Sequence, residues 1–176
     1  MTRDKTVYFF LDAETDGLYG PFLSAAILVT DCEGREIEHF YTARSVAEGE
    51  IMSEWVREYV FPHLNKAETA AGSEYELIES VWTLWMKYRE SAYCVADAGF
   101  PVEARLLSEC VRHDSSVREC LAPFPLLDLC TALPAHGIPW DVSRQSFSGL
   151  EIVSHDPLND VRLTAACWFR LFGPKS

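Results

Sequence analysis

The sequence predicts a mixed α/β fold, a sheet with helices on its faces that begins with a three-strand antiparallel meander. Three observations predict it. Three apolar runs up to Tyr41 are separated only by turns, a capped amphipathic helix follows over Ser73–Tyr88, and beyond it short apolar runs alternate with helical patterns. Strands first, then alternating helices and strands, give a mixed sheet with helices over it.

The first strand is expected at Val7–Asp12 and the second at Phe22–Thr30. Asp31-Cys32-Glu33-Gly34 is a turn, and Glu36–Tyr41 alternates and pairs back as the third strand. Glu54, Trp55, Val56, Tyr59 and Val60 have helical spacing up to Pro62. In the Ser73–Tyr88 helix, Ser73 and Glu76 form a capping box, and Leu77, Val81, Leu84, Trp85 and Tyr88 form the apolar stripe. Ala92–Ala96 is a short buried strand, Pro101–Arg112 a helix and Phe124–Leu129 a last strand. Pro134–Gly149, rich in Gly, Pro and Ser, is a loop or broken helices. Asp156 is a good N-cap and Pro157 a good first residue for a final helix to about Phe172.

Two segments carry chemistry. Asp12 and Glu14 follow the run Val7–Leu11, and residues two apart on a strand share a face. Two hard oxygen ligands converging off a strand suit Mg2+ or Mn2+. Near the other end stand His155 and Asp160, five residues apart. On one helix that spacing is about 500° of rotation, roughly 140° off a shared face. His155 is therefore expected on the loop before the last helix. Asp160 is expected in the helix's first turn, where its dipole favours a carboxylate. A carboxylate cage with one titratable base is what two-metal phosphodiester hydrolysis needs.

With these residues the chain resembles the DEDDh 3'-5' exonucleases, which include RNase T-like, oligoribonuclease-like and proofreading-type nucleases. The first family motif, Asp-x-Glu-Thr-(Thr)-Gly, reads Asp12-Ala13-Glu14-Thr15-Asp16-Gly17, with Asp16 where Thr is usual. The last, His-x-x-x-x-Asp, reads His155 to Asp160, followed by Thr164-Ala165. The motifs stand in family order at opposite ends, so the resemblance covers nearly all of residues 1–176, read as one domain. It implies a ribonuclease-H-like fold and release of nucleoside 5'-monophosphates from a 3' end. Two Mg2+ or Mn2+ ions would be held by Asp12, Glu14, Asp160 and a fourth acid, with His155 as general base. Thr15 and Leu18 match residues that touch the terminal nucleotide in relatives: Leu18 would wedge under a base, and Thr15 would contact the sugar or the metal-site backbone.

The family's fourth acid is an Asp at the start of a helix, and no Asp stands there. Asp97 ends the Ala92–Ala96 strand, where it could face Asp12 and Glu14. Glu103, with Val102 before it and Leu107 four further on, matches the family's helix-start spacing. Asp97 is the first choice as catalytic and metal-binding residue, because the family uses aspartate. Glu103 is the alternative.

Composition narrows the partners. A net charge of −12 argues against a generic nucleic-acid binder with a basic face, but suits a metal-loaded nuclease for short single-stranded or 3'-tailed RNA or DNA. RNA is favoured because small single-domain relatives often trim RNA. Relatives are often homodimers, and the sequence neither shows nor excludes that. No apolar run reaches the roughly 20 residues that span a bilayer. Met1–Lys5 leads into a strand rather than a signal peptide, and six scattered cysteines without a Cys-x-x-Cys pair read as buried thiols of a cytoplasmic protein. Trp82, Trp85 and Trp168 are expected in the core, and Trp140 and Phe147 are candidates to touch substrate. Arg105, Arg144 and Arg162 are the basic residues nearest the motifs. The alternatives to an exonuclease are an inactive nucleic-acid- or protein-binding member of the fold and a small-nucleotide phosphodiesterase.

Overall fold

The computed structural model describes residues 7–152 and 156–173. Their sheet has six strands: β1 Val7–Thr15, β2 Phe22–Asp31, β3 Glu36–Arg44, β4 Thr69–Ala71, β5 Ala92–Ala96 and β6 Leu126–Asp128. The spatial order is β4-β3-β2-β1-β5-β6. β1, β2 and β3 form the antiparallel meander, while β5 lies parallel to β1, β6 to β5 and β4 to β3. The helices are α1 Glu54–Tyr59, α2 Phe61–Leu64, α3 Glu74–Tyr88, α4 Val102–Arg112, α5 Ser115–Arg118, α6 Leu129–Ala135, α7 Arg144–Ser148 and α8 Pro157–Phe172. None among the described residues is long and apolar enough to cross a membrane.

Strand alternation sorts β1 between two cores. Phe9, Leu11 and Ala13 pack with Leu77, Val81 and Trp85 of α3 and Leu106 of α4. Phe10, with Tyr8 beside it, packs on the other face with Leu129 and Leu133 of α6 and Val161, Ala165 and Trp168 of α8. Both faces are covered, so β2 is apolar and buried along nearly its whole length. Trp82, Trp85 and Trp168 are core residues, as expected; Trp85 packs edge-on against Phe9, and its Nε1–H donates to the Leu121 carbonyl at 2.8 Å.

Several elements differ from expectation. β1 runs three residues past Asp12, because β2 pairs with it as far as Thr15. β3 likewise reaches Arg44. β4 was not predicted: Thr-Ala-Ala carries no strand pattern and is held by pairing with β3. Ser73 accepts from Glu76 N–H at 3.2 Å, but the Glu76 carboxylate takes Gly72 N–H at 2.7 Å, so the capping box is displaced by one residue. Asp156 occupies the N-cap of α8 without its carboxylate accepting a capping hydrogen bond; the carboxylate instead accepts from Lys66 Nζ at 2.9 Å. Residues 134–149 are broken helices: α6 ends there, a turn follows, and α7 is short. The cysteines are free, but only Cys94, Cys110 and Cys167 are buried, while Cys32 and Cys120 are exposed.

Candidate metal centre

The site arises where β1 outruns its parallel neighbour. β5 pairs with β1 only from Val7 to Phe10, whereas β2 pairs with it to Thr15. Residues 11–15 therefore have one open edge, at the carboxyl end of the parallel strands, where crevices form in α/β sheets. Asp12 and Glu14 lie on the face that Tyr8 and Phe10 share with α8, while Leu11, Ala13 and Thr15 turn away and are buried. Val161, Ala165 and Trp168 seat α8 on that face, which brings Asp160, in its first turn, over the two acids.

One carboxylate oxygen from each of Asp12, Glu14 and Asp160 lies within 4.8 Å of the others. Asp12 Oδ2 is buried and has no hydrogen-bond partner. Such an atom costs about 1–3 kcal/mol unless something else satisfies it. Three converging hard oxygen donors, with an unpartnered oxygen on one of the three residues, fit a hard divalent cation by donor chemistry. The electrostatics agree. Burial, and then Glu14, Glu103, Asp160 and Asp97 in turn, hold the Asp12 carboxyl well above the usual range. Burial with Asp160 and Glu103 pushes Glu14 up to about 8. Like charges gathered in a partly buried site resist ionising together unless a cation joins them.

The two candidates for the fourth acid are placed differently. Asp97, at the end of β5, is taken up by Arg144 of α7. The guanidinium Nη2 and Nε donate to Oδ1 at 2.7 and 2.9 Å, and Cys130 Sγ lies 3.5 Å from the same oxygen. Glu103, in the first turn of α4, is buried, and its Oε1 accepts from Ala13 N–H on the open edge of β1 at 3.4 Å. Burial pushes its carboxyl up to about 7. Backbone N–H groups of Glu103 and Ala13 pull the other way, and Asp97 and Asp128 add to the rise. Neither acid belongs to the group within 4.8 Å. His155 lies outside the described residues.

Thr15 is buried, and Leu18 stands 63% exposed on the turn after β1. That turn is built tightly: Asp16 N–H donates to Pro21 O at 3.0 Å, and a Cβ on Gly20 would stand 1.9 Å from Asp16 O. Arg105 clamps it by donating to the carbonyls of Tyr19 and Gly20 at 2.9 and 2.6 Å. Asp16 has a role that sequence reasoning missed. Its carboxylate accepts from Met52 N–H and Ser53 N–H at 2.8 and 2.9 Å, tying the start of α1 to the end of β1. A short acceptor side chain at a strand end is the only sequence signal for it, and its partners lie 36 and 37 residues away. Arg162 lies 3.5 Å from Glu36.

No family model and no curated protein matches this chain. Solved structures do. It is similar to the E. coli ExoI–ssDNA complex in its zinc-bound form, with a TM-score of 0.67, 16% identity and 96% of this chain covered. It is also similar to a product-bound exonuclease I (TM-score 0.63, 17% identity) and to SSB/exonuclease I with the inhibitor CFAM (TM-score 0.62, 14% identity), each over 96% of this chain. The match spans 40%, 45% and 43% of those three chains, less than half of each. At such identities the likeness shows the fold: this chain has the ribonuclease-H-like α/β architecture shared with part of exonuclease I, a six-strand mixed sheet with its β3-β2-β1 meander and flanking helices.

Proposed function

We propose that this protein is a metal-dependent 3'-5' exonuclease that hydrolyses the terminal phosphodiester of a single-stranded or 3'-tailed nucleic acid and releases nucleoside 5'-monophosphates. The observation that carries this reading is the convergence of the Asp12, Glu14 and Asp160 carboxylates, with one buried oxygen of Asp12 left unpartnered. Asp12, Glu14 and Asp160 would hold the ions. Bound divalent ions supply Lewis acidity toward the phosphate oxygens and the attacking water. His155 would take the proton of that water as its oxygen attacks phosphorus and the bond to the 3'-oxygen breaks. Leu18, exposed beside the strand that carries the acids, is proposed to meet the terminal base, and Thr15 to hold the backbone beneath it.

Glu103 is the better fourth acid in this reading. It is buried against the open edge of β1, whereas Asp97 is already bound by Arg144. Glu103→Gln is expected to lower metal affinity or activity by at least about 10- to 100-fold, as for groups supporting a metal site. Asp97→Asn should lower the melting temperature yet keep the response to metal. Titration calorimetry with Mn2+ and thermal melts of both variants check this, and the reverse pattern would restore Asp97 as the ligand. His155→Ala should slow turnover by roughly 10²–10⁴-fold. An unchanged rate would remove it from the role of base.

The preference for RNA expected from the sequence draws no support from the similar structures, one of which is an ssDNA complex. Both sugars are therefore substrates to test. Chromatography of the products checks the reaction: nucleoside 5'-monophosphates alone are expected, and internal fragments or 3'-monophosphates would overturn it.

A further inference from the structure

We propose that Phe100 and Trp140 form a stacking platform for bases of the single strand upstream of the scissile bond, held together by the Asp97–Arg144 ion pair. This rests on the nuclease reading of the acid site.

Both rings are large, apolar and exposed, Phe100 at 77% and Trp140 at 64%. They lie on different loops, 40 residues apart in sequence, yet both loops are fastened to one point. Asp97 directly follows β5, three residues before Phe100, and contributes to the electrostatics of Asp12 and Glu103. The guanidinium that grips Asp97 also donates to the Trp140 carbonyl from Nη1 and Nη2, each at 3.1 Å, and to the Val142 carbonyl at 2.7 Å. The Phe100 loop is pinned a second time, where Gly99 N–H donates to Asp128 Oδ2 at 2.6 Å. A Cβ on Gly99 would come within 2.9 Å of Leu126 Cδ2, so the loop lies directly on β6. Phe147, the other aromatic of the segment after α6, is different: it packs on the α8 core with Arg170 over its ring.

Two anchored backbones that each present an exposed aromatic ring, both tied to Asp97 after the strand that pairs with β1, suit an unpaired base better than a protein side chain. Each base has a π-face, and anchored rings lose little freedom on stacking. The arrangement also gives Arg144 a purpose. Its donors are spent on Asp97 and on loop carbonyls, so it is a positioning residue rather than a phosphate ligand.

The test compares Trp140→Ala and Trp140→Phe with the parent protein on two substrates. One is a single-stranded dT oligomer. The other is the p-nitrophenyl ester of thymidine 5'-monophosphate, which has no neighbouring base. The loss of Trp140→Ala on the oligomer, read in KM, should exceed its loss on the ester by roughly 5- to 100-fold, the worth of one base–aromatic stack. Trp140→Phe should recover most of it. Equal losses on both substrates, or no loss on the oligomer, overturn the platform. Turnover of the ester by the parent tests the nuclease reading separately. Should the parent turn over neither substrate, anisotropy of a fluorescein-labelled dT oligomer with Ca2+ decides the platform. Weaker binding by Trp140→Ala that is restored in Trp140→Phe supports it; equal binding, or no binding by the parent, overturns it.

Discussion

Asp12→Asn is expected to abolish turnover and, in EDTA at pH 8, to raise the melting temperature. The two effects share one cause. Asp12 is one of the three converging acids, and burial and four neighbouring carboxylates hold its pKa high. Without a cation, Asp12 is harder to ionise in the folded chain than in the unfolded one, and that difference works against folding at pH 8. Asparagine has nearly the same shape and no charge, so it removes the penalty. It also removes a ligand from ions that supply several kcal/mol of transition-state stabilisation, a loss of at least about 10³-fold in rate. Melting curves and turnover of the purified variant check both parts. An active Asp12→Asn protein would sink the metal site, and a markedly lower melting temperature would sink the repulsion argument.

Metal ions are expected to stabilise the fold more strongly as pH rises. Folding raises Glu14 to about 8 and Glu103 to about 7. A carboxyl raised on folding adds stability that is full below its unfolded pKa and is lost as pH rises through the folded value. The metal-free protein should therefore weaken between about pH 4.5 and pH 8. Divalent ions need the ionised carboxylates, so their binding tightens over the same range. At a metal concentration about 100 times Kd the gain is about 2.7 kcal/mol, or roughly 5–10 °C for a chain of this size. At pH 5 protons outcompete the metal and the shift should shrink toward zero. Melts with Mn2+ or EDTA from pH 5 to pH 8 measure it, and a shift independent of pH would contradict the carboxylate site.

Much of this site can be read from local pattern. The alternation of Val7–Leu11 sets the shared face of Asp12 and Glu14, and the Asp156-Pro157 start sets Asp160 in the first turn of α8. Such features depend on residues a few positions apart. The choice between Asp97 and Glu103 does not. It depends on where β5 stops alongside β1 and on Arg144, 47 residues beyond Asp97. Asp156 is the N-cap that the sequence predicts, but the use of its carboxylate is not legible locally, because it binds Lys66, 90 residues away, instead of the helix backbone. β4 was illegible because three small residues form a strand only when β3 offers them an edge. Asp16 reads as a departure from the family motif, yet its carboxylate joins two parts of the site rim.

Digestion of a 5'-labelled single strand, as DNA and as RNA, with Mn2+, Mg2+ or EDTA tests the central claim most directly. A ladder shortening one nucleotide at a time from the 3' end, lost in EDTA and in Asp12→Asn, is the predicted result. Intact strands under every metal, or cleavage that persists in EDTA, would contradict it.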